Sequence, residues 1–450
     1  MIFKRKLYDK LLVWKQQTAG TKALLIEGAR RIGKSTLVEE FAKNEYRSYL
    51  MIDFNKVSDS VISAFNNYMN DLDTFFLILS SEYGVRLYPK ESIIIFDEIQ
   101  QFPKARQAIK YLVADGRFDY IETGSLISIK ENVNDITIPS EERTLLMYPM
   151  DFEEFAWAMN EEPLMAYIRQ CFDKKVPLEQ GIHAKAMLLF RQYMIVGGMP
   201  KSLSAYLENN RNFEMADMEK RDILTLYRND IKKIKSGYRS SVLSIFDQIP
   251  AFLSRSERRV VMNRIEKGAS FPKYHDTFFW LSDSMIANEC FNCSDPNVGL
   301  SLNEDRTYVK CYMGDTGLLI SHTFDENEIS DGELYREILL GKLSVNEGMF
   351  YENVIAQMLV AAGHKLYFYT RYNQEKHRND MEIDFILSNH SKLRYKIFPI
   401  EVKSNDKYSI RSLTRFNESF RQRIGGSYVI HPKNPVSYTH LRAHETSLHL

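Results

Sequence analysis

The sequence predicts an α/β protein, with a parallel sheet and crossover helices first, a helical middle next and a second, smaller α/β unit last. Short β-rich runs alternate with helical stretches in the first third of the chain, which is typical of parallel sheets. These apolar runs lack a period of two, as do strands that are buried on both faces. The predicted strands cover residues 23–26, 48–54, 92–96 and 120–123. The predicted helices cover residues 1–20, 35–43 and 105–115.

The pattern changes twice beyond residue 150. It is first mainly helical, and then a helix precedes four short apolar runs, which indicates another α/β unit. That helix covers residues 346–362, and the runs lie near 365–370, 382–388, 396–403 and 427–431. We therefore predict domains at residues 1–150, 151–330 and 331–435. Residues 436–450 follow no period and resemble read-through from a cloning adaptor, so we expect a non-native tail there.

Bulk composition excludes several classes of protein. The 59 Lys and Arg residues balance the 59 Asp and Glu residues, which argues against a chain that coats nucleic acid along its whole length. Four cysteines in 450 residues indicate a reduced compartment rather than a disulfide scaffold. The apolar runs are far shorter than the roughly 20 residues that a membrane span needs, and the N-terminus shows no signal peptide. We expect a cytoplasmic protein that does not use a membrane.

A phosphate-binding loop is indicated by residues 28–35, GARRIGKS, which directly follow a predicted strand and open a predicted helix. Gly28 and Gly33 let backbone N–H groups turn inward around a phosphate at the helix N-terminus. Lys34 supplies a positive charge to the β- and γ-phosphates, and Ser35, with Thr36 beside it, supplies a hydroxyl to Mg²⁺. The spacing therefore predicts ATP and Mg²⁺ as ligands.

Two further strands end in polar residues that complete such a site. Asp97 and Glu98 follow the apolar run IIIF, at the strand end where an open parallel sheet binds ligands. We expect Asp97 to hold the Mg²⁺ shell and Glu98 to polarise the attacking water. A third strand ends in ETGS at residues 122–125, whose hydroxyls are candidates to contact the γ-phosphate, Ser125 among them. The alternative for this third strand is an ordinary turn.

Five motifs in this order resemble a known family: GARRIGKSTL, IIIFDEIQQFP, TGSL, MYPMDFEEF and VGGMP. Together they are similar to prokaryotic AAA-type ATPases that carry a C-terminal domain of unknown function, DUF4143. The resemblance spans residues 1–433, and it implies a winged-helix-like module in the middle segment. It carries over the roles of Lys34, Ser35, Asp97, Glu98 and Ser125 in ATP binding and hydrolysis.

The family resemblance also points to Arg143. This residue matches a family arginine that is a candidate finger for a neighbouring subunit's nucleotide, which implies a homo-oligomer. Glu142 stands where relatives often have glycine, so a plain surface arginine is the alternative.

A second group of charged residues lies in the C-terminal unit. Glu401 and Lys403 are two apart on a predicted strand, so their side chains leave the same face, where Asp384 from a neighbouring strand can meet them. Glu352, on the preceding helix, is a candidate fourth member. Carboxylates with a lysine suit metal-assisted phosphodiester hydrolysis, and the arrangement resembles the restriction-endonuclease-like fold. A charged edge strand without catalytic function is the alternative.

The predicted function is Mg²⁺-dependent ATP hydrolysis coupled to a partner, either nucleic acid or protein. A nucleic-acid partner is favoured by the 12 Lys and Arg against 7 Asp and Glu between residues 371 and 423. Two alternatives stay open: a nucleotide-gated interaction switch with little turnover, and a DNase that ATP only regulates.

Overall fold

The computed structural model describes residues 1–125, 140–234, 238–255, 258–260, 265, 271–297, 299–325, 333–342, 347–373, 378–389, 396–405, 408–434 and 445–448. The chain divides into two compact units. The first consists of Met1–Tyr148 and Asp283–Met285, and the second of Pro149–Ser282 and Ile286–Leu450. The predicted domain 331–435 thus lies within the second unit, as does the predicted domain 151–330 apart from residues 283–285.

The first unit is built on a parallel sheet, as predicted. Its strands are β1 Ala23–Gly28, β2 Ser48–Asp53, β3 Ser92–Asp97, β4 Asp119–Gly124 and β5 Glu142–Met147. They run in the order β2-β3-β4-β1-β5, and every neighbouring pair is parallel. All six residues of β3 are buried, which explains why its sequence is continuously apolar. Strand β5 was not among the predicted strands.

Helices surround this sheet, and their ends follow from local chemistry. They are α1 Leu7–Gln17, α2 Lys34–Glu45, α3 Asp59–Asn67, α4 Leu72–Tyr83 and α5 Pro103–Asp115. Helix α5 begins with a proline, whose missing N–H costs nothing at that position, and ends before Gly116, whose φ is +69°. Buried aromatic side chains of α3 and α4 pack against β2 and β3 to form the core on one face of the sheet.

Most of the remaining helices belong to the second unit. Its first helix begins with a capping box, in which Asp151 accepts from the backbone of Glu154 and Glu154 accepts in return, so the MYPMDFEEF motif encodes a helix start. The helices are α6 Phe152–Ala158, α7 Glu162–Lys174, α8 Gln180–Val196, α9 Pro200–Glu208, α10 Phe213–Lys232, α11 Arg239–Leu253, α12 Phe271–Asp283, α13 Thr316–Thr323, α14 Glu333–Leu340, α15 Glu347–Ala361 and α16 Arg411–Ser419.

The VGGMP motif is a close-packing junction. Gly198 donates its N–H to Asp315 Oδ2 at 2.6 Å and accepts from Met150 N at 2.8 Å. A Cβ on Gly198 would collide with the Met150 backbone, and Gly197, at φ +81°, packs directly on Gly317. The motif therefore serves packing within the second unit, and only glycine fits both positions.

Two four-stranded sheets complete the second unit. The first has the order β7-β6-β8-β9 and the second the order β10-β11-β12-β13. The strands are β6 Ala287–Cys293, β7 Glu304–Met313, β8 Leu366–Asn373, β9 Arg378–Ile383, β10 Phe385–Asn389, β11 Lys396–Val402, β12 Ser427–Ile430 and β13 Glu445–Leu448. Because β6 pairs with β8, one sheet joins strands from both sides of residue 330. The predicted strand near 382–388 is in fact split at Asp384, where the chain passes between the sheets.

Strand β13 lies in the segment expected to be a non-native tail. It pairs in parallel with β12, so four residues of that segment join a sheet, whereas the prediction left all of them outside the fold. The physical reason is that β12 would otherwise be an edge strand, whose free N–H and C=O groups accept any extended segment. The non-native origin of residues 436–450 stays a prediction. Within the described residues, none of the helices combines the length and the apolar character that a bilayer crossing requires.

Candidate functional site

The nucleotide-binding residues predicted from the sequence gather at one edge of the first sheet. Strand β4 lies between β1 and β3, so the ends of these three strands are neighbours. The loop after β1, the carboxylates that end β3 and the hydroxyls that end β4 therefore converge. This is the edge at which open parallel sheets bind ligands.

The loop between β1 and α2 has the backbone that a phosphate cradle needs. Gly33 has φ +91° and directly precedes α2, a conformation that side-chain-bearing residues avoid. A Cβ on Gly28 would collide with the carbonyl oxygen of Met147 and the side chain of Ile32. Glycine is thus required at both positions by local geometry.

A buried arginine that was not predicted from the sequence donates hydrogen bonds to the backbone of this loop. Arg5 donates to the carbonyl oxygen of Ile32 at 3.0 Å and to that of Tyr148 at 2.6 Å. Arg5 lies 27 residues before one partner and 143 before the other, so no motif spacing could have found it. It ties the phosphate loop to the end of the first unit's chain.

Lys34 is buried, and its ammonium contacts backbone rather than carboxylates. Its Nζ donates to the carbonyl oxygens of Gly28 at 3.0 Å and Ala29 at 2.8 Å. Burial lowers the pKa of Lys34 to about 8, although Glu98 and Asp97 act in the opposite direction. Holding the charged ammonium in this buried position therefore costs desolvation free energy. An anionic ligand would offset that cost by pairing with the ammonium.

Asp97 gathers hydroxyls from two other elements. Ser35 Oγ donates to Asp97 Oδ1 at 2.8 Å, and Thr123 Oγ1 donates to the same oxygen. Asp97 is 7% exposed, yet within the described residues neither it nor Glu98 has an ion-pair partner. The set of a serine hydroxyl and a carboxylate oxygen suits Mg²⁺, which prefers hard oxygen ligands.

Glu98 has an unusual backbone for its residue type. Its φ of +55° and ψ of +46° lie in the left-handed region, at the start of a short 3₁₀ turn that covers Ile99–Gln101. The side chain of buried Gln100 donates to Glu98 Oε2, and Glu98 N donates to Thr123 Oγ1 at 3.4 Å. Backbone strain of this kind is common at functional sites. The left-handed conformation fixes the direction in which the Glu98 side chain leaves the backbone.

The other predicted residues of this region are less closely involved. Thr36 is exposed on the first turn of α2, and Ser125 is buried just beyond β4. Of the hydroxyls that end β4, the one shown in contact with Asp97 belongs to Thr123. Arg143 is exposed on β5, the edge strand, in register with Leu24. It therefore lies about 13 Å along the strand from Gly28, too far to serve its own phosphate loop directly.

Glu142 has a structural partner within the same unit. Arg106 on α5 donates to both of its carboxylate oxygens, at 3.0 and 2.8 Å, and both side chains are buried. Glu122 lies beside this pair, fully buried, and burial with the neighbouring Glu142 charge raises the pKa of Glu122 well above its usual value. Glu142 thus anchors β5 to α5, which accounts for a carboxylate where a glycine was expected.

The charged residues predicted in the C-terminal unit also come together. Strand β10 pairs with β11, and Asp384, which precedes β10, accepts from the backbone N–H of Val402 at 2.8 Å. Lys403 Nζ lies 2.8 Å from Glu401 Oε2, and α15 packs against β11 and β7. Burial raises the pKa of Glu401, while the Lys403 charge opposes that shift. The structure thus places Asp384, Glu401 and Lys403 side by side.

Glu352, the fourth predicted member, is fully buried and is paired with cations that the prediction did not include. Lys310 on β7 lies 3.2 Å from Glu352 Oε1, and Arg258 pairs with Glu352 Oε2. Lys310 also contacts Asp384 Oδ1 at 3.8 Å and Glu382 Oε1 at 3.3 Å. No pattern marks Lys310, because it lies 42 residues before Glu352 in another predicted domain.

Comparison with known families agrees with the resemblance stated above. Residues 20–156 match the model of an AAA domain, AAA_14, and residues 347–443 match the domain of unknown function DUF4143. Residues 187–328 match another domain of unknown function, DUF8612. Among curated proteins, no sequence matches this chain. The predicted combination of an AAA-type domain and a DUF4143 domain is therefore confirmed.

Several solved structures are similar to parts of the chain. RuvB of Thermotoga maritima, a Holliday junction branch migration motor, is 12% identical over 63% of this chain and 89% of its own, with a TM-score of 0.27. Cdc6p of Pyrobaculum aerophilum is 11% identical over 75% and 93%, with a TM-score of 0.26. A signal transduction ATPase with a tetratricopeptide repeat sensor from Pyrococcus horikoshii is 12% identical over 79% and 48%, with a TM-score of 0.29.

Proposed function

We propose that this chain, with its AAA-type P-loop domain and its C-terminal DUF4143 domain, binds ATP with Mg²⁺ and hydrolyses it. The observation that carries the proposal is the 2.8 Å hydrogen bond between Ser35 Oγ and Asp97 Oδ1. Two Mg²⁺-type oxygen ligands from separate elements thus lie together beside a phosphate-binding loop. Mg²⁺ held by Ser35 and Asp97 would neutralise charge on the β- and γ-phosphates.

Lys34 supplies the fixed positive charge of the site. Its Nζ is bound only to carbonyl oxygens of its own loop in the contacts described above, and these are weaker partners than phosphate oxygens. We expect Lys34 to turn from Gly28 and Ala29 to the β- and γ-phosphates when ATP binds. The gain in charge pairing favours nucleotide binding.

Glu98 is the proposed general base. Water attacks the γ-phosphorus, Glu98 accepts the proton of that water, and the bond to the bridging oxygen breaks so that ADP leaves with this oxygen. In the structure the side-chain amide of Gln100 donates a hydrogen bond to Glu98 Oε2. We propose that this contact positions the Glu98 carboxylate. We also propose that Thr123 positions the neighbouring Asp97 carboxylate through its hydrogen bond to Asp97 Oδ1.

Coupling to a partner is the second part of the proposal. The local excess of Lys and Arg between residues 371 and 423 favours nucleic acid, whose phosphates such residues neutralise. The test is steady-state ATP turnover by the full chain, alone and with single- and double-stranded DNA or RNA, with Lys34→Ala as the control. We expect Lys34-dependent turnover that nucleic acid changes. Release of one ADP per chain without further turnover would instead indicate a nucleotide-gated switch.

Arg143 is the proposed finger toward a neighbouring copy of the chain. It is exposed on an edge strand and lies away from its own phosphate loop, as a residue acting between subunits would. An equimolar mixture of Arg143→Ala and Lys34→Ala chains tests this, because each supplies what the other lacks. Turnover above that of either variant alone supports a finger between subunits. Unchanged turnover by Arg143→Ala alone would make it a surface arginine.

A further inference from the structure

The carboxylate cluster of the C-terminal unit consists of Glu352, Glu382, Asp384 and Glu401. As a group, these oxygens have the chemistry of a divalent-cation site. A site that binds Mg²⁺ needs carboxylate oxygens that are free to coordinate it. The partners of each carboxylate therefore decide whether the cluster fits a metal.

Lys310 is the cation that contacts most of these carboxylates. Its Nζ lies 3.2 Å from Glu352 Oε1, 3.3 Å from Glu382 Oε1 and 3.8 Å from Asp384 Oδ1. Its side chain is 1% exposed, so the ammonium is held by the protein rather than by solvent. The Lys310 ammonium thus takes the position among three carboxylates that a bound metal cation would take.

Three further oxygens of these carboxylates also have partners, whereas Glu401 Oε1 is buried without a hydrogen bond within the described residues. Arg258 pairs with the second oxygen of Glu352, and Lys403 lies 2.8 Å from Glu401 Oε2. The second oxygen of Asp384 accepts the N–H of Val402. Three cations thus face four carboxylates, which leaves a formal excess of one negative charge. A divalent cation would add two charges to a cluster that is already nearly neutral.

We propose that Lys310 is the resident cation of this cluster and that the cluster is an ion-pair core of the second unit, not a divalent-metal centre. The residues predicted for metal-assisted hydrolysis come together, but with Lys310 present they do not fit Mg²⁺. Lys310 comes from β7, whereas its partners come from α15 and the β9–β10 junction. The cluster therefore fastens these elements to each other by buried charge pairs.

The test is Mn²⁺ binding to the full chain without nucleotide, followed by electron paramagnetic resonance. Every chain carries Asp97→Asn, which removes the carboxylate ligand of the nucleotide site. With Lys310 intact we expect no saturable Mn²⁺ binding, and the same with Lys310→Arg, which keeps the charge. With Lys310→Met we expect one saturable Mn²⁺ per chain, lost again when Asp384→Asn is added.

Two outcomes would overturn the proposal. The first is saturable Mn²⁺ binding with Lys310 intact that Asp384→Asn abolishes, since the lysine would then not hold the metal position. The second is a Lys310→Met chain that keeps its native circular dichroism and gains no Mn²⁺ site. If Lys310→Met does not fold, Lys310→Gln serves as the smaller polar replacement, and the arm with Lys310 intact stands without either variant.

Discussion

The two carboxylate regions of this protein contain similar residues and differ in how those residues are paired. In the first unit, the described structure shows Asp97 and Glu98 in hydrogen bonds with hydroxyl and amide groups, while Lys34 binds backbone carbonyls. In the second unit, lysine and arginine side chains pair directly with the carboxylates. The first arrangement leaves charge for an external cation and an external anion. The second satisfies its charges internally.

Residue types and spacing therefore do not by themselves define a metal site. Both regions match a catalytic pattern in the sequence, and in both the structure brings the predicted carboxylates together. In the second region three cations pair with the carboxylates, and one of them, Lys310, comes from a distant strand.

The largest effect concerns the stability of the second unit. Replacing Lys310 with methionine leaves buried carboxylates without their cation, which should lower the free energy of unfolding by about 3–5 kcal/mol. Adding Glu352→Gln should recover part of the loss, because the double variant removes both charges of one pair. Urea unfolding of the single and double variants measures this. Additive losses would mean that the two residues do not interact.

The next effect separates binding from catalysis in the first unit. Glu98→Gln keeps the shape of the side chain and leaves Asp97 in place, so Mg·ATP affinity should be nearly unchanged. Hydrolysis should fall about 100-fold or more, because the base is lost. Single-turnover kinetics and calorimetry on the same preparation give both quantities. Wild-type hydrolysis by Glu98→Gln and by Asp97→Asn would place the catalytic carboxylates elsewhere.

Lys34→Ala tests the phosphate loop directly. Removing a charge-assisted contact to the phosphates should cost about 1.5–3 kcal/mol of binding, roughly a factor of 10 to 100 in Kd. Calorimetry with ATP measures the loss, and Lys10→Ala, an exposed lysine on α1, is the matched control. Equal affinities of the two folded variants would contradict the assignment.

The smallest effect is on the pH dependence of ATP binding. The pKa of Lys34 is about 8 in the free protein, so the residue loses its proton as pH rises through that value. Bound phosphates favour the charged form, so ATP must then bind together with a proton. Affinity should be nearly full at about pH 7, fall to about half at about pH 8 and fall about tenfold by about pH 9. Lys34→Arg should bind with no such decline, because its guanidinium stays charged; a decline in both would point to another group.

The sequence predicted what depends on local spacing and missed what depends on distant contacts. The phosphate-loop pattern of Gly28, Gly33 and Lys34 lies within one short stretch of the chain. A strand that ends in Asp97 is a local feature as well. Arg5 and Lys310 could not be predicted, because each meets its partners only after distant segments pack together. Strand alternation was sufficient to place Glu401 and Lys403 near each other, but it carries no information on which cation arrives from another strand.

Counting Mn²⁺ per chain tests the contrast between the two regions most directly. The full wild-type chain is titrated with Mn²⁺, with and without a non-hydrolysable ATP analogue, and bound Mn²⁺ is followed by electron paramagnetic resonance. We expect one Mn²⁺ per chain with the analogue, lost in Asp97→Asn, and no saturable site without the analogue. A site that fills without nucleotide and disappears in Asp384→Asn would show instead that the carboxylates of the second unit bind a divalent metal.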